Sequence, residues 1–299
     1  MPQLFHSLVK AVSEPFRCLA PEISVFQQTS PSIEKVTPAR TLSISLTDHE
    51  CQQKCAHCNG HYLKGMQPFS KLDGVNLNAY DAVLISGGST SAGEVPIRQH
   101  VDAILSLPPH LKLNLHTGYQ SAESLLPLKQ KNPVVSFDLP VCDEVVKEVY
   151  GLPYSHDDFR RLYLEYSRHF RTVAHVTLGL APSGKAAEEM ATVKFLAESG
   201  ASEVVFLIFR PTPGTRMCNI APPAIERVIP VLVEARRLFA DRVQIGCMRP
   251  AGIYRRNFDI LAWLHGYRRF VMPDHKLLQI LEENGISIIC RSNCCALEA

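Results

Sequence analysis

The chain has 299 residues, 46% of them apolar and 20% charged, with 31 Lys and Arg against 29 Asp and Glu for a formal net charge of +2. That length suits one α/β barrel of about 250 residues or two smaller domains, and the near balance of charge argues against nucleic acid or an anionic membrane as a partner. No apolar run approaches the roughly 20 residues of a membrane helix, and the opening MPQLFHSLVKAVSEPF lacks the basic-then-apolar order of a secretory signal, so a cytoplasmic protein is expected.

Residues 1–40, rich in proline, read as an irregular leader packed on the outside. Short apolar runs then alternate with helical patterns. Strands are expected at 42–47, 82–87, 111–117, 134–139, 173–178, 203–210, 243–248 and 269–272, and helices most clearly at 157–170, 185–199, 224–240, 257–265 and 275–284. Strands alternating with helices imply parallel β/α units. A TIM-type (β/α) barrel, complete or nearly so, is the economical closure over residues 41–275, although a doubly wound open sheet would show the same local pattern. Residues 276–299 then form a C-terminal helix, a strand at 286–289 and a cysteine-rich tail.

Several of these strands alternate, whereas a parallel strand buried on both faces reads as nearly continuous apolar sequence. Ser43, Ser45 and Thr47 share one face of the first strand; Lys112, Asn114 and His116 one face of the third; Ser136 and Asp138 one face of the fourth; His175 and Thr177 one face of the fifth. Period two means that one face meets something polar. A polar lumen facing a polar ligand is expected, with Ser45, Thr47, Asn114, His116, Asp138 and Thr177 pointing inward.

Ten cysteines are many for a chain with no export signal, and six of them fall in two tight clusters, which fits metal binding better than cross-linking. The first cluster, Cys51, Cys55 and Cys58, has the spacing C-x3-C-x2-C just after the first strand. Three thiolates on a short loop can ligate three irons of a [4Fe–4S] cluster and leave the fourth iron open. An open iron can chelate the amino and carboxylate groups of S-adenosylmethionine (SAM), and one electron then releases a 5′-deoxyadenosyl radical. A zinc site completed by His49, His57 or His61 is the alternative. The second cluster is Cys290, Cys294 and Cys295. A second [4Fe–4S] cluster is expected there, with Cys18 as fourth ligand, or Ser292 in view of the resemblance of Arg291-Ser292 to the tail of the single-chain lipoyl synthases. Both Cys294 and Cys295 can reach one cluster only if the backbone turns near Asn293. Cys142 and Cys218 read as structural. Cys247 and Arg249 share a face at the end of the seventh strand, where Arg249 could bind a carboxylate or pair with a rim acid.

Over residues 40–275 the sequence resembles the radical SAM superfamily, on the strength of the cysteine triad and of Leu84-Ile85-Ser86-Gly87-Gly88 after it. The resemblance implies that His57 packs beside the adenine, that Gly87 and Gly88 bring backbone against SAM, that Asp138 meets the ribose hydroxyls, and that Gly179 and Leu180 lie near the adenine. Ser89 departs from the acidic residue common after the glycines. The runs Cys55-Ala56-His57-Cys58-Asn59-Gly60-His61-Tyr62-Leu63-Lys64-Gly65-Met66, Arg210-Pro211-Thr212-Pro213-Gly214-Thr215 and Gly246-Cys247-Met248-Arg249-Pro250 are similar to the biotin-synthase-related group that includes the two-component lipoyl synthases. That similarity implies sulfur insertion into a protein-bound octanoyl chain. It also implies three partners: a second radical SAM lipoyl synthase subunit, an octanoylated lipoyl-domain or H-type carrier protein, and a reductant such as ferredoxin. Two other functions stay open: a radical SAM enzyme of another reaction that uses an auxiliary cluster for electron transfer or substrate anchoring, and a non-enzymatic iron–sulfur or zinc protein.

Overall fold

Among residues 1–26 and 32–297, which the structure (a computed structural model) describes, the strands are β1 (Ser32–Val36), β2 (Thr41–Ser45), β3 (Gln67–Pro68), β4 (Ala82–Ser86), β5 (Lys112–His116) and β6 (Val134–Asp138). They continue with β7 (Arg171–Leu178), β8 (Val204–Ile208), β9 (Val243–Ile245), β10 (Arg269–Val271) and β11 (Ser287–Arg291). Positions 27–31 of the expected leader and 298–299 of the expected tail lie outside the described residues. All pairings between these strands are parallel, in the order β11-β1-β10-β9-β8-β7-β6-β5-β4-β2-β3. The eight strands expected from the sequence are β2 and β4 to β10, laid side by side in chain order. The sheet ends at β11 and β3, so its hydrogen bonds do not close it, and the architecture is a half-barrel rather than a complete barrel.

The leader is not irregular. Leu4, Leu8 and Val12 recur at helical spacing and bury one stripe of a helix, Pro2–Ala11. This helix packs on the helices Ile253–Leu264 and His275–Glu283. Ser13 N donates to Asn257 Oδ1 at 2.9 Å, and His265 Nε2 lies 2.7 Å from the Leu19 carbonyl. Further along, β1 inserts between β10 and β11, in register with both. No helix among the described residues is long and apolar enough to cross a membrane.

Strand parity sorts the side chains as expected. Val83 and Ile85, Leu113 and Leu115, Val135 and Phe137, and Ala174 and Val176 all belong to the main core beneath the outer helices. One of those helices carries its own start signal: His156–His169 begins with a capping box in which Ser155 and Asp158 satisfy each other's backbone amides. The opposite strand faces form the lumen. At its lower end Glu203 Oε1 accepts from Gln244 Nε2 and from Arg269 Nη1, both at 2.7 Å, and Arg269 Nε also donates to Glu34 at 2.8 Å. Above this polar floor lies a second apolar cluster of Val36, Val134, Val173, Val205, Leu207 and Val271. Two residues of the C-terminal tail, Cys295 and Ala296, are buried within it.

Candidate active site: a cysteine loop over a lumenal cavity

The cysteine loop is held by main-chain bonds from three directions. Thr47 Oγ1 donates to the Glu50 carbonyl and accepts from Gly88 N, both at 2.7 Å, which ties the end of β2 to the turn after β4. Gln52 N donates to the Ser89 carbonyl at 2.9 Å and Ala56 N to the Val149 carbonyl at 2.7 Å, while Met217 N donates to the Ala56 carbonyl at 3.2 Å. The loop turns sharply enough to hold Asp48, Lys54 and Asn59 at φ 53°, 49° and 43°, in the left-handed region that non-glycine residues seldom occupy. Such local strain persists only where the surroundings fix it, and it concentrates at functional sites.

The result is a convergence of donors. Ligand atoms of Cys55, His57 and Cys58 all lie within 4.8 Å of one another. The Cys51 thiol lies 4.0 Å from the Ser89 carbonyl and near enough to Cys55 for the two thiols to act on each other electrostatically. A hydrogen bond with Cys55 and the nearby His57 imidazole lower the Cys58 thiol. The same hydrogen bond, then burial, push Cys55 upward. Three thiols on one loop fit the donor set of a [4Fe–4S] cluster. Of the other histidines considered as zinc ligands, His49 Nδ1 lies 3.2 Å from the Leu63 carbonyl and His61 packs edge-on against Tyr62.

Below the loop opens a cavity of about 590 Å³. Cys55, His57, Cys58 and Gly87 border it above, and Asn114, His116, Ser136, Asp138, His175 and Thr177 line it from the strands, as period two predicted. Thr47 instead serves the loop, and Ser45, fully buried, does not border the cavity. His116 Nδ1 is 3.4 Å from Asp138 Oδ2, and the His116 and His175 rings meet edge to face at 5.6 Å. Burial, then the neighbouring His116, bring His175 down to about 4, so it is neutral at pH 7.

Other expected site residues fall elsewhere. Gly88 is packed against the cysteine loop, and its amide points to Thr47 rather than into the cavity. Gly179 donates to Glu189 Oε1 at 2.6 Å, and a Cβ on it would meet Pro223 at 2.4 Å. Leu180 is buried in the outer core, so neither borders the cavity. Cys18 is exposed in a short helical turn, Glu14–Leu19, that packs on the outer helix Ile225–Phe239, on the wrong side of the sheet for any lumenal centre. Cys290 is exposed on β11 opposite Lys35, before the tail turns inward, and Ser292 does not border the cavity. Arg249 is fully buried, forms a two-pronged pair with Asp259 at 2.7 and 2.9 Å, and does not border the cavity.

Of the three tail cysteines, Cys294 and Cys295 border the cavity. Cys294 N donates to Thr41 Oγ1 at 2.9 Å, and a turn from Cys295 to Leu297 points both thiols toward the cavity, with their sulfurs 3.9 Å apart. The sequence reading missed the apolar wall of Tyr119, Tyr150, Leu152 and Phe159. Tyr150 follows a π-helical turn, Val145–Val149, and lies 5.7 Å from the His57 ring. Single π turns recur at functional sites, but no local pattern announces them.

No family model matches the chain, and no curated protein matches it. Solved structures do. Methylornithine synthase (PylB) superposes with a TM-score of 0.60 at 10% identity, over 95% of this chain and 97% of that one. HydG, a maturase of the [FeFe]-hydrogenase, gives 0.57 at 10% identity, over 96% of this chain and 74% of that one. Streptococcus suis SuiB bound to S-adenosylmethionine gives 0.53 at 14% identity, over 73% of this chain and 52% of that one. At such identities the likeness is one of architecture, and the chain has the parallel β/α fold of methylornithine synthase, HydG and SuiB.

Proposed function

We propose that this chain is a radical SAM enzyme that modifies a small molecule held in its lumen. The observation that carries this reading is the placement of Cys51, Cys55 and Cys58 on one strained loop over the strand ends, with Cys55 and Cys58 on the wall of the cavity. Each cysteine would give one thiolate to a [4Fe–4S] cluster, and the cavity would take SAM. Together these groups, when bound, supply a 5′-deoxyadenosyl radical that removes a hydrogen atom from an unactivated carbon. His57, backed by Tyr150, offers a flat face to the adenine. Asp138, held by His116, offers a carboxylate to the ribose hydroxyls. Tyr119, Leu152 and Phe159 exclude water from the space where a radical would react. The small-molecule choice is supported by the fold likeness to a methylornithine synthase, which extends over nearly the whole of both chains.

A second reading is favoured by one observation, the two tail cysteines that face the cavity. It is sulfur insertion into an octanoyl chain carried by a lipoyl-domain or H-type protein, together with a second lipoyl synthase subunit and a ferredoxin-like reductant. The test of the common chemistry is anaerobic reconstitution with iron and sulfide, followed by dithionite and SAM. Release of 5′-deoxyadenosine, abolished by Cys55→Ala, is the expected result. A protein that holds zinc and leaves SAM intact overturns both readings. Mass analysis of the product then separates them, because only the second adds sulfur.

A further inference from the structure

We infer, resting on the small-molecule reading above, that Arg210 binds the carboxylate of a largely apolar substrate in the lumenal cavity, with Arg255 as a second positive charge nearby. Among the described residues that border the cavity, Arg210 is the one Lys or Arg and Asp138 the one Asp or Glu. Asp138 is engaged by His116 at 3.4 Å. The carboxylates that act on Arg255, Asp259 and Asp274, are already paired, with Arg249 at 2.7 Å and with Arg256 at 3.8 Å. Four guanidinium groups therefore share two carboxylates, which leaves Arg210 and Arg255 with an excess of two positive charges. Such charge beside a partly dry cavity is costly until a counter-ion joins it.

Arg210 is held in a geometry suited to a planar anion. It stands two residues past the end of β8, and its guanidinium lies over the ring of Tyr62, 5.7 Å from the centroid. Tyr62 follows Cys58 by four residues, so the pair joins the strand end to the cysteine loop. The ring is itself fixed, because its hydroxyl and Oγ1 of the fully buried Thr212 share a hydrogen bond of 2.8 Å. A guanidinium resting on an aromatic face keeps its N–H edge free, and that edge matches the two oxygens of a carboxylate. Arg255 donates through Nη2 to the Arg249 carbonyl at 3.2 Å, while its Nε is buried without a hydrogen-bond partner. Burial, then the like charges of Arg249 and Arg210, lower its pKa against the pull of Asp259 and Asp274.

The rest of the wall sets the class of molecule. Tyr119, Tyr150, Leu152 and Phe159 border the same cavity, so the body of the ligand is apolar and its charge sits at one end. The open iron of a cluster on the cysteine loop would take the amino and carboxylate groups of SAM, which leaves Arg210 for a second anion. An octanoyl chain attached to a carrier protein has no free carboxylate to offer. A carboxylate-bearing substrate therefore fits the small-molecule reading and not the second one.

The test uses the full chain, reconstituted anaerobically with iron and sulfide, without reductant, and measured with and without SAM. Calorimetry follows the binding of octanoate, of its neutral twin octanamide and of octyl phosphate. Wild type should bind octanoate about 10-fold or more tightly than octanamide, and Arg210→Met should weaken octanoate about 10- to 100-fold while leaving octanamide unchanged. Arg210→Lys, which keeps the charge but loses the fork, should recover part of that loss. Arg255→Met should weaken octanoate about 2- to 5-fold at low salt and less at high salt, and no effect at low salt removes Arg255 from the site. Equal binding of octanoate and octanamide by wild type overturns the inference, and that comparison needs no variant to fold. Octyl phosphate bound more tightly than octanoate overturns the carboxylate class. SAM affinity of Arg210→Met, from equilibrium dialysis, should match wild type. A loss there with octanoate binding unchanged assigns Arg210 to SAM and overturns the inference. If wild type binds octanoate through Arg210 yet holds neither cluster nor SAM, the function proposed above falls and the anion site stands. If SAM is cleaved but octanoate and octanamide bind alike, the anion site falls and the radical chemistry stands.

Discussion

Gly88 lies directly against the main chain of the cysteine loop, where a methyl group on it would stand 1.8 Å from the Glu50 carbonyl oxygen and 2.7 Å from Cys51 Cα. Both neighbours are backbone atoms, so no side-chain rotation can relieve the overlap. Gly88→Ala should therefore displace the loop and destabilise the fold by about 3 kcal/mol, the upper end of overpacking costs. Thermal melting and iron content after reconstitution both report it. Gly65→Ala, with nothing within 4 Å of the new methyl, is the control and should change neither. A Gly88→Ala protein with full iron content would show that the loop is more compliant than its contacts imply.

Arg249 and Asp259 are both fully buried, and the guanidinium also donates to the carbonyls of Gly246, Val271 and Met272. Burial pushes the Asp259 carboxyl up, and Arg249 opposes that shift. Removing one partner leaves the other charge unpaired in the interior, at a cost of about 3–5 kcal/mol. Arg249→Met should lose that much in urea denaturation, and Arg249→Met/Asp259→Leu should cost less than the two single changes added together. A single change costing under about 1 kcal/mol would remove this pair from the stability of the fold.

His156 opens its helix with Nε2 buried and without a hydrogen-bond partner. Burial, then the neighbouring Arg160, bring its pKa down to about 4. The unfolded chain therefore binds the proton more readily than the folded one. The stability that depends on neutral His156 is fully present above about pH 6.5 and is lost as pH falls through that value toward 4. Between pH 7 and 5 the wild type should lose about 1–2 kcal/mol more than His156→Gln, after allowance for partial exposure. Parallel urea titrations of the two proteins across that range would refute the assignment.

Asp138 borders the cavity with its carboxylate 3.4 Å from His116 Nδ1. If it receives the ribose hydroxyls of SAM, Asp138→Ala removes a hydrogen bond to a charged group, worth about 1.5–3 kcal/mol. SAM affinity of the iron-loaded protein, measured by anaerobic equilibrium dialysis, should drop about 10- to 100-fold. Iron content should stay the same, because Asp138 is not among the residues expected to ligate the cluster. An unaltered dissociation constant would exclude the role.

The eight central strands, the face of each strand that meets the lumen and the first cysteine cluster were all legible in the amino-acid sequence, because each rests on local periodicity or on spacing within one loop. Parity alone placed Asn114, His116, Asp138 and Thr177 on the cavity. Only the tertiary structure could place β1 between β10 and β11, since which distant strands become neighbours depends on how the sheet curls and what covers its edge. The same holds for the second cysteine cluster. Cys290 and Cys294 are four residues apart, yet one lies exposed on an edge strand and the other faces the lumen, because the backbone turns inward at Cys294 where its amide meets Thr41. Cys247 and His175, remote in sequence, border the same cavity as Cys294 and Cys295. Spacing along a chain limits which side chains can share a loop, but contacts between distant segments form only when the whole sheet has folded and their burial offsets the entropy of bringing them together.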